Sequence, residues 1–410
     1  MKIVLFEDHQ INRFYPLALT RPVWELRFGC FSVRERFEKW VNEKGDSNTQ
    51  IIYLTRDYLA PYYKERLSEI KINDELFLSE DEVLFINARI LPNEDILKIE
   101  NNVILIENDI PVLFRLTKEN LQKLNKDKLI SSLLEIGLKQ QENSFETFEY
   151  IWNLIELNSG YITKDFEYFF QKNHTDAKVI GDQALLSISE EAQVDPYVVF
   201  DVTHGPIIVE DGVQIKSFSM IEGPCYIGSQ SRIMGAKVRE GCSFGPHCRI
   251  GGEVEESIIQ GYSNKYHEGF LGHAYLGEWV NLGALTTNSD LKNNYSTIKT
   301  YIPRKKVDTK TIKLGSFIGD FTKTSIGTLM ITGSSVGVGS MLVHSGSLTP
   351  SHIPSFKYWI KNKLRDIPEV KDFLDTCETV AGRRDVKFSD SYRSMVQFVY
   401  ENIEELTKKM

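Results

Sequence analysis

VEDGVQIKSFSMIEGPCYIGSQSRI, residues 209–233, decides the fold of this chain. Val209, Ile215, Ile221, Ile227 and Ile233 recur at every sixth place, and Val213, Ser219, Cys225 and Ser231 keep step with them at the fifth place of each hexad. The beat returns in Ile318, Thr324, Met330, Val336, Leu342 and Leu348, with Thr322, Thr328, Ser334 and Ser340 as small partners. A period of six matches neither a helical turn nor the alternation of a strand, and self-similarity at a fixed period marks a repeat architecture. Each hexad makes one flat side of a triangular coil. Its aliphatic residue points into the prism and its small residue fits the corner. Stacked coils then bury a continuous apolar column that no single coil can bury alone. The pattern predicts a parallel β-helix of hexapeptide repeats over 176–350, left-handed against the usual crossover rule.

On the N-terminal side, Lys2–Phe6, Ile51–Thr55, Glu82–Asn87 and Asn102–Glu107 read as strands, separated by helical segments such as Ser32–Asn42 and Pro92–Ile99. That alternation predicts an α/β domain with a largely parallel sheet over 1–175. Ligands of such sheets sit at the carboxyl ends of the strands, which gathers Glu7, Asp8, the loop after them and Asn87–Arg89 round one crevice. The loop, HQINRFYPLALTRPVWELRFG (9–29), carries Arg13, Arg21 and Arg27. A planar guanidinium can hold phosphate oxygens bidentately. The same arginines can equally pair with Glu7, Asp8 and Glu25 to fix the loop. Helical patterns cover Lys118–Leu124 and Glu146–Leu157, and YIWNLIELNSGYITKDFEYFF (150–170) predicts a helix that joins the two domains.

On the C-terminal side the hexads stop at Pro350 and Pro354. Periodicity over Ser355–Leu364 and Ser391–Lys408 predicts a helical tail, 351–410, in which Arg383 and Arg384 form a basic pair. The formal net charge of −9 over 410 residues argues against a general nucleic-acid binder. No apolar run is long enough to span a bilayer, so no membrane insertion is expected. The start, MKIVLFED, lacks a signal-peptide layout, and five scattered cysteines form neither metal spacing nor a disulfide framework; a cytoplasmic protein is expected.

Within the β-helix the beat breaks twice, over Glu253–Glu278, which holds His267 and His273, and over Thr286–Thr311 (TTNSDLKNNYSTIKTYIPRKKVDTKT). The second break reads as an exposed loop overhanging a neighbouring coil or subunit. The two flank one intact coil, Leu276–Gly283.

Two resemblances follow from quoted residues. RFYPLALTRP (13–22) resembles the signature of sugar-phosphate nucleotidyltransferases, in which a Gly-rich turn and an Arg precede a Pro-rich segment ending in Pro-Lys; here HQIN replaces the turn and Val23 the lysine. LFINARILPNEDIL (84–97) is similar to that family's Asn-Gly-Asp segment, whose aspartate holds Mg²⁺, but Arg89 takes the aspartate's place. An arginine neutralises charge but holds no metal. Either Asp8, Glu7 or Asp109 supplies the Mg²⁺ ligand, or the domain only binds.

HEGFLGHAYLGEWVNLGA (267–284) is similar without gaps to the catalytic coils of bacterial glucosamine-1-phosphate acetyltransferases, and KLGSFIGDFTKTSIGTLMITGSSVGVGS (313–340) looks like the archaeal versions. With the domain order, this resembles an alternative bacterial or archaeal form of the bifunctional N-acetylglucosamine-1-phosphate uridylyltransferase and glucosamine-1-phosphate N-acetyltransferase family. The resemblance implies a nucleotidyltransferase-like (Rossmann-like) first domain that uses UTP, acetyl-CoA as cosubstrate, and a homotrimer.

It also implies roles. His267 falls on the general base, Asn281 on the amino-sugar ligand and Ala284 beside the acetyl group. Phe270 replaces a phosphate-binding Tyr. Asp290 replaces a second Asn, with Asn288 close by, and Lys292 is nearest to a phosphate-binding Lys. Arg249 and Lys265, matched to nothing, are further cations for the substrate, as are Arg13 and Arg21 in the first domain. Gly319, Asp320 and Val338 line the coenzyme groove. His273 matches no role, and Arg383-Arg384 could meet coenzyme phosphates across a subunit boundary or pair within the tail.

The expected activity is acetyl-CoA-dependent N-acetylation of an amino-sugar 1-phosphate coupled to uridylyl transfer. Two alternatives stay open. In one, the first domain binds a sugar nucleotide without catalysis; in the other, the β-helix of a nucleotidyltransferase or regulatory subunit only mediates assembly.

Overall fold

The computed structural model describes residues 2–45, 48–125, 128–169, 175–344, 346–367 and 369–409. Residues 170–174, at the expected boundary between the domains, lie outside them. The first domain carries a seven-stranded sheet in the order Lys71–Ile72, Gln50–Tyr53, Lys2–Phe6, Glu82–Asn87, Ile110–Thr117, Val103–Glu107, Lys139–Glu142. The first four strands are parallel, but Ile110–Thr117 runs antiparallel to both neighbours, so the sheet is mixed. The reversal is made by Asn108 and Asp109, both at left-handed φ (51° and 64°), the conformation a tight hairpin turn requires. The helix Val33–Lys44 begins at a reciprocal cap: Ser32 Oγ accepts from Glu35 N at 3.2 Å, and the Glu35 carboxylate accepts from Ser32 N at 2.7 Å.

The second domain is the left-handed β-helix. Its three faces are sheets of six, nine and five strands, paired in parallel from coil to coil. Val209, Ile227, Phe244, Ile259, Leu276, Ile318, Val336 and Ile353 fill one inward column, each buried. The coils continue through Glu253–Glu278 without a loop; residue type changes there, and the register of coils does not. Partners Ile233 and Ile250 lie seventeen residues apart, Ile250 and Lys265 fifteen. The coil is shortened rather than opened. At the other end Leu348 is 57% exposed, so the six-residue phase is lost after Leu342, and Ile353 carries the inward column on.

The Thr286–Thr311 excursion contains an antiparallel hairpin, Lys299–Ile302 with Lys305–Asp308. Ile298 and Ile302 are buried in the core shared with the first domain, which anchors this end of the segment, while residues 293–297 are exposed as the sequence predicts. Ser355–Leu364 is no helix either. Lys357–Ile360 extends one face of the coil and turns back as Lys363–Asp366 through Lys361 and Asn362, both at left-handed φ. Tyr358 and Trp359 suit a strand more than a helix. The tail then forms helices Val370–Gly382, Asp390–Glu401 and Ile403–Lys409.

These helices roof one corner of the β-helix. His247, Tyr262, Trp279 and Phe321 occupy successive turns of that corner at left-handed φ, each ring stacked on the next. Phe373, Phe388 and Tyr392 of the tail pack against Phe321. Gly339 holds the next turn at φ +64°, and a Cβ there would come within 2.7 Å of the Phe373 ring.

The helix Ile151–Asp165 joins the domains as expected. Its buried Asn158 accepts from Gly29 N at 2.7 Å and from Ser243 Oγ at 3.0 Å, and donates to Gly241 O at 2.8 Å. Beside it, Arg21 of the first domain enters the coil, within 3.1 Å of Asp320 and 3.4 Å of Glu278. Arg66 meets Glu278 at 2.7 Å, and Thr20 donates to Asp320 at 2.7 Å.

Candidate functional site

Coil register places the site. Asn264 bridges to Asn281, and Asn281 to Lys323, in parallel. The outward row of the five-stranded face therefore reads Arg232, Arg249, Asn264, Asn281, Lys323. At the adjoining corner, Leu285 N donates to Glu268 O (2.8 Å) and Gly327 N to Ala284 O (2.7 Å), which sets Ala284 one coil beyond His267. The fold thus brings His267, Asn281, Ala284 and Arg249 to one edge.

His267 is exposed, its ring edge-on to Tyr266 at 5.2 Å. Asn281 is exposed as well, and its side-chain oxygen accepts from Asn264 Nδ2 at 2.9 Å. That fixed hydrogen bond leaves the Asn281 amide nitrogen as a donor toward solvent. Arg249 lies over the Tyr266 ring at 6.0 Å.

The other candidates are placed elsewhere. Lys265 occupies an inward position, in register with Ile250, and is 2% exposed. Its ammonium donates to the carbonyls of Gly251 (2.8 Å) and His267 (2.6 Å), and burial pulls it down to about 8. It braces the backbone that carries His267 and cannot reach a substrate. Asn288 is likewise buried, its amide closed on Gly272, accepting from N and donating to O at 2.9 Å each.

Asp290 binds His273 Nδ1 at 2.8 Å, and Glu256 lies 3.2 Å from Nε2. Burial opposes the charged imidazole, but these carboxylates outweigh it and raise His273 to about 9. Asp290 and His273 are therefore a structural ion pair. Lys292 turns back on its own loop, toward Thr297 O and Ser296.

Gly319, Asp320 and Val338 are all buried, Gly319 against Gly337 and Val338 of the next coil and Asp320 against the first domain. Asp320 is held by Thr20, Arg21 and the Glu278 amide, so the expected coenzyme groove is filled there by protein. Arg21, 1% exposed, belongs to that contact and binds no phosphate. Arg13 pairs with Glu149 at 3.1 Å over the Tyr150 ring. The loop arginines do fix the loop, but with unexpected partners: Arg27 pairs with Glu35, while Glu7, Asp8 and Glu25 are taken by Arg56, Arg89 and Arg34.

The crevice at the carboxyl ends of the strands is present, a cavity of about 240 Å³ lined by Glu7, Asp8, Thr55, Arg56 and Asn73 among others. The Mg²⁺ expected there does not fit its residues. Asp8 already accepts from Arg89 Nε (3.0 Å) and Nη2 (2.8 Å), Asn87 Nδ2 (2.8 Å) and Gln10 N (2.7 Å). Arg89, also paired with Glu107 at 3.1 Å, sits where a cation would. Asp109 is in the exposed hairpin turn, and no group of three metal-ligating side chains exists among the described residues.

One contact had no local sequence signal. Arg384, from the turn after helix Val370–Gly382, reaches back to donate to Asn264 Oδ1 at 2.7 Å, extending the Asn264–Asn281 chain.

The sugar nucleotidyl transferase family matches residues 3–174. A bifunctional sugar-1-phosphate nucleotidylyltransferase/acetyltransferase from Sulfurisphaera tokodaii is 26% identical over 387 residues, covering 82% of this chain and 94% of that protein. The protein named Bifunctional protein GlmU from Jannaschia sp. is 33% identical over 173 residues, 41% of this chain and 33% of that one. Another of that name, from Thermodesulfovibrio yellowstonii, is 31% identical over 166 residues, 38% of this chain and 34% of that one. The chain spans about a third of the length of these last two relatives. With residues 3–174 matching the sugar nucleotidyl transferase family ahead of a left-handed β-helix, the chain resembles the bifunctional sugar-1-phosphate nucleotidylyltransferase/acetyltransferase from Sulfurisphaera tokodaii over most of its length.

Proposed function

We propose that the β-helix acetylates the amine of an amino-sugar 1-phosphate, glucosamine 1-phosphate by the resemblance, from acetyl-CoA. The observation that carries this is the corner where exposed His267 stands one coil before Ala284, beside the Asn264–Asn281 pair. An imidazole titrates near neutral pH and can take the ammonium proton. The neutral amine then attacks the thioester carbonyl: the C–N bond forms, the C–S bond breaks, and the second proton that the nitrogen sheds goes to the departing thiolate. Asn281 orients the sugar, and backbone near Ala284 faces the acetyl group. Lys265 is a positioning residue, holding the His267 carbonyl from below.

Coenzyme A release from acetyl-CoA and glucosamine 1-phosphate tests this. His267→Ala should lower the rate by about 10²–10⁴ with the unfolding midpoint unchanged. No release by the wild type sinks the acetyl-transfer reading; full activity in the variant removes His267 as base.

For the first domain the Asp8–Arg89 pair favours sugar-nucleotide binding without uridylyl transfer. Pyrophosphate release from UTP, Mg²⁺ and N-acetylglucosamine 1-phosphate decides. None is expected; steady release by the wild type would restore a catalytic first domain.

A further inference from the structure

The outward row beside His267 carries more positive charge than the fold uses. Arg232 and Arg249 are in register on adjacent coils, and the tail brings Arg383 and Arg384 over the same face. Among the described residues none of the four makes an ion pair with a carboxylate, in a chain of net charge −9. Arg384 Nε and, further along the row, Lys323 Nζ are buried without a hydrogen-bond partner. Burial and then mutual repulsion weaken the charged forms: Arg249 is held below its ordinary range by burial, Arg232 and Arg383, and Arg384 by burial, Arg249, Arg383 and Arg232. Buried donors without partners and uncompensated like charges both cost stability. A fold that gathers them at an exposed edge is set to receive an anion.

We infer that Arg232, Arg249, Arg383 and Arg384 form a binding site for the phosphate groups of a ligand of the β-helix, with the C-terminal tail supplying half of the cations. Guanidinium forks are suited to phosphate, which accepts two parallel N–H bonds from each. The site adjoins the acyl-transfer corner through Tyr266, whose ring touches both Arg249 and His267. Arg384, bonded to Asn264, ties the phosphates to the Asn281 chain. The assignment rests on the acetyl-transfer proposal only for which ligand the row receives. That ligand is phosphorylated, and the phosphate comes from the coenzyme or from the sugar.

Titration calorimetry of the full chain with coenzyme A, with 3′-dephospho-coenzyme A and with glucosamine 1-phosphate separates the sources. Arg249→Ser combined with Arg384→Ser should weaken coenzyme A or the sugar phosphate by about tenfold or more, equivalent to about 1.4 kcal/mol, with the unfolding midpoint retained. Weakening for coenzyme A alone assigns the row to the coenzyme, and equal wild-type affinity for the dephospho form then points to its diphosphate. Weakening for the sugar alone assigns it to the 1-phosphate. Arg232→Ser, at an exposed position, should move the same affinity in the same direction if the double variant folds poorly. Unchanged affinity for both ligands, or no binding of either by the wild type, overturns the site. Affinity is read without turnover, so a wild type that binds but does not acetylate would refute only the acetyl-transfer proposal.

Discussion

Two groups of arginines meet the β-helix, and their surroundings are opposite. Arg21 and Arg66 enter the domain contact, where Glu278 and Asp320 neutralise them at 2.7–3.4 Å. Arg232, Arg249, Arg383 and Arg384 gather on the five-stranded face with no carboxylate paired to them among the described residues. A buried charge whose partners are all protein belongs to architecture. A cluster left uncompensated at an accessible edge belongs to a ligand. Residue type alone does not separate the two: Arg21 lies in a stretch resembling a nucleotide-binding signature and is structural.

Four variants would break or sharpen that contrast. Arg21→Met has the largest expected effect, because it strands Asp320 and weakens the compensation of Glu278; denaturant unfolding should lose about 3–5 kcal/mol. A loss under about 1 kcal/mol would show that the contact is not what holds the domains.

His273→Gln comes next. The folded His273 is raised to about 9, above its unfolded value near 6.5, so its contribution is complete below pH 6.5 and disappears as pH rises through 9. The variant should lose about 2–3 kcal/mol at pH 6 and almost nothing near pH 10. A loss independent of pH would exclude the ion pair as its cause.

Lys265→Leu should act in the other direction. The folded ammonium, lowered to about 8, is penalised at neutral pH, and the wild type gains stability as pH rises from 8 toward 10.5. Restoring the aliphatic column should therefore raise stability at pH 7 by about 1–2 kcal/mol, a gain that shrinks above pH 8, while acetyl transfer falls through the lost brace on His267. Equal activity in the variant would remove Lys265 from the positioning role.

Arg384→Ser should be the smallest, within about 0.5 kcal/mol in stability, because the hydrogen bond lost to Asn264 is offset by relief of repulsion from Arg249 and Arg383. A loss above about 2 kcal/mol would move Arg384 from the second group into the first.

Much of this was legible in the sequence where it depends on local period. Val209, Ile227, Ile318 and Val336 point inward because a six-residue beat fixes orientation, and His267, Asn281 and Ala284 share an edge because coils repeat at nearly constant length. What the sequence concealed depends on distant partners. Arg21 lies roughly three hundred positions from Asp320, and Arg384 far from Asn264; no periodicity links such pairs. Asn288 and Lys265 look like polar surface residues, yet the coil register turns both inward, where amide and ammonium satisfy backbone carbonyls. The hairpin over Lys357–Asp366 was concealed for another reason. Its two strands are short enough that helical spacing and strand alternation overlap, and only pairing with Met341–Leu342 settles which forms.

The contact made by Arg21, Asn158 and Glu278 has a thermal consequence. Neither domain can swing or melt away without uncovering charges that the other neutralises, so heating should give one calorimetric transition across both halves rather than two. A ligand taken up in the crevice near Glu7 would then raise the melting temperature of the distant coil, and one bound beside Arg249 would protect the sheet, without any hinge between them.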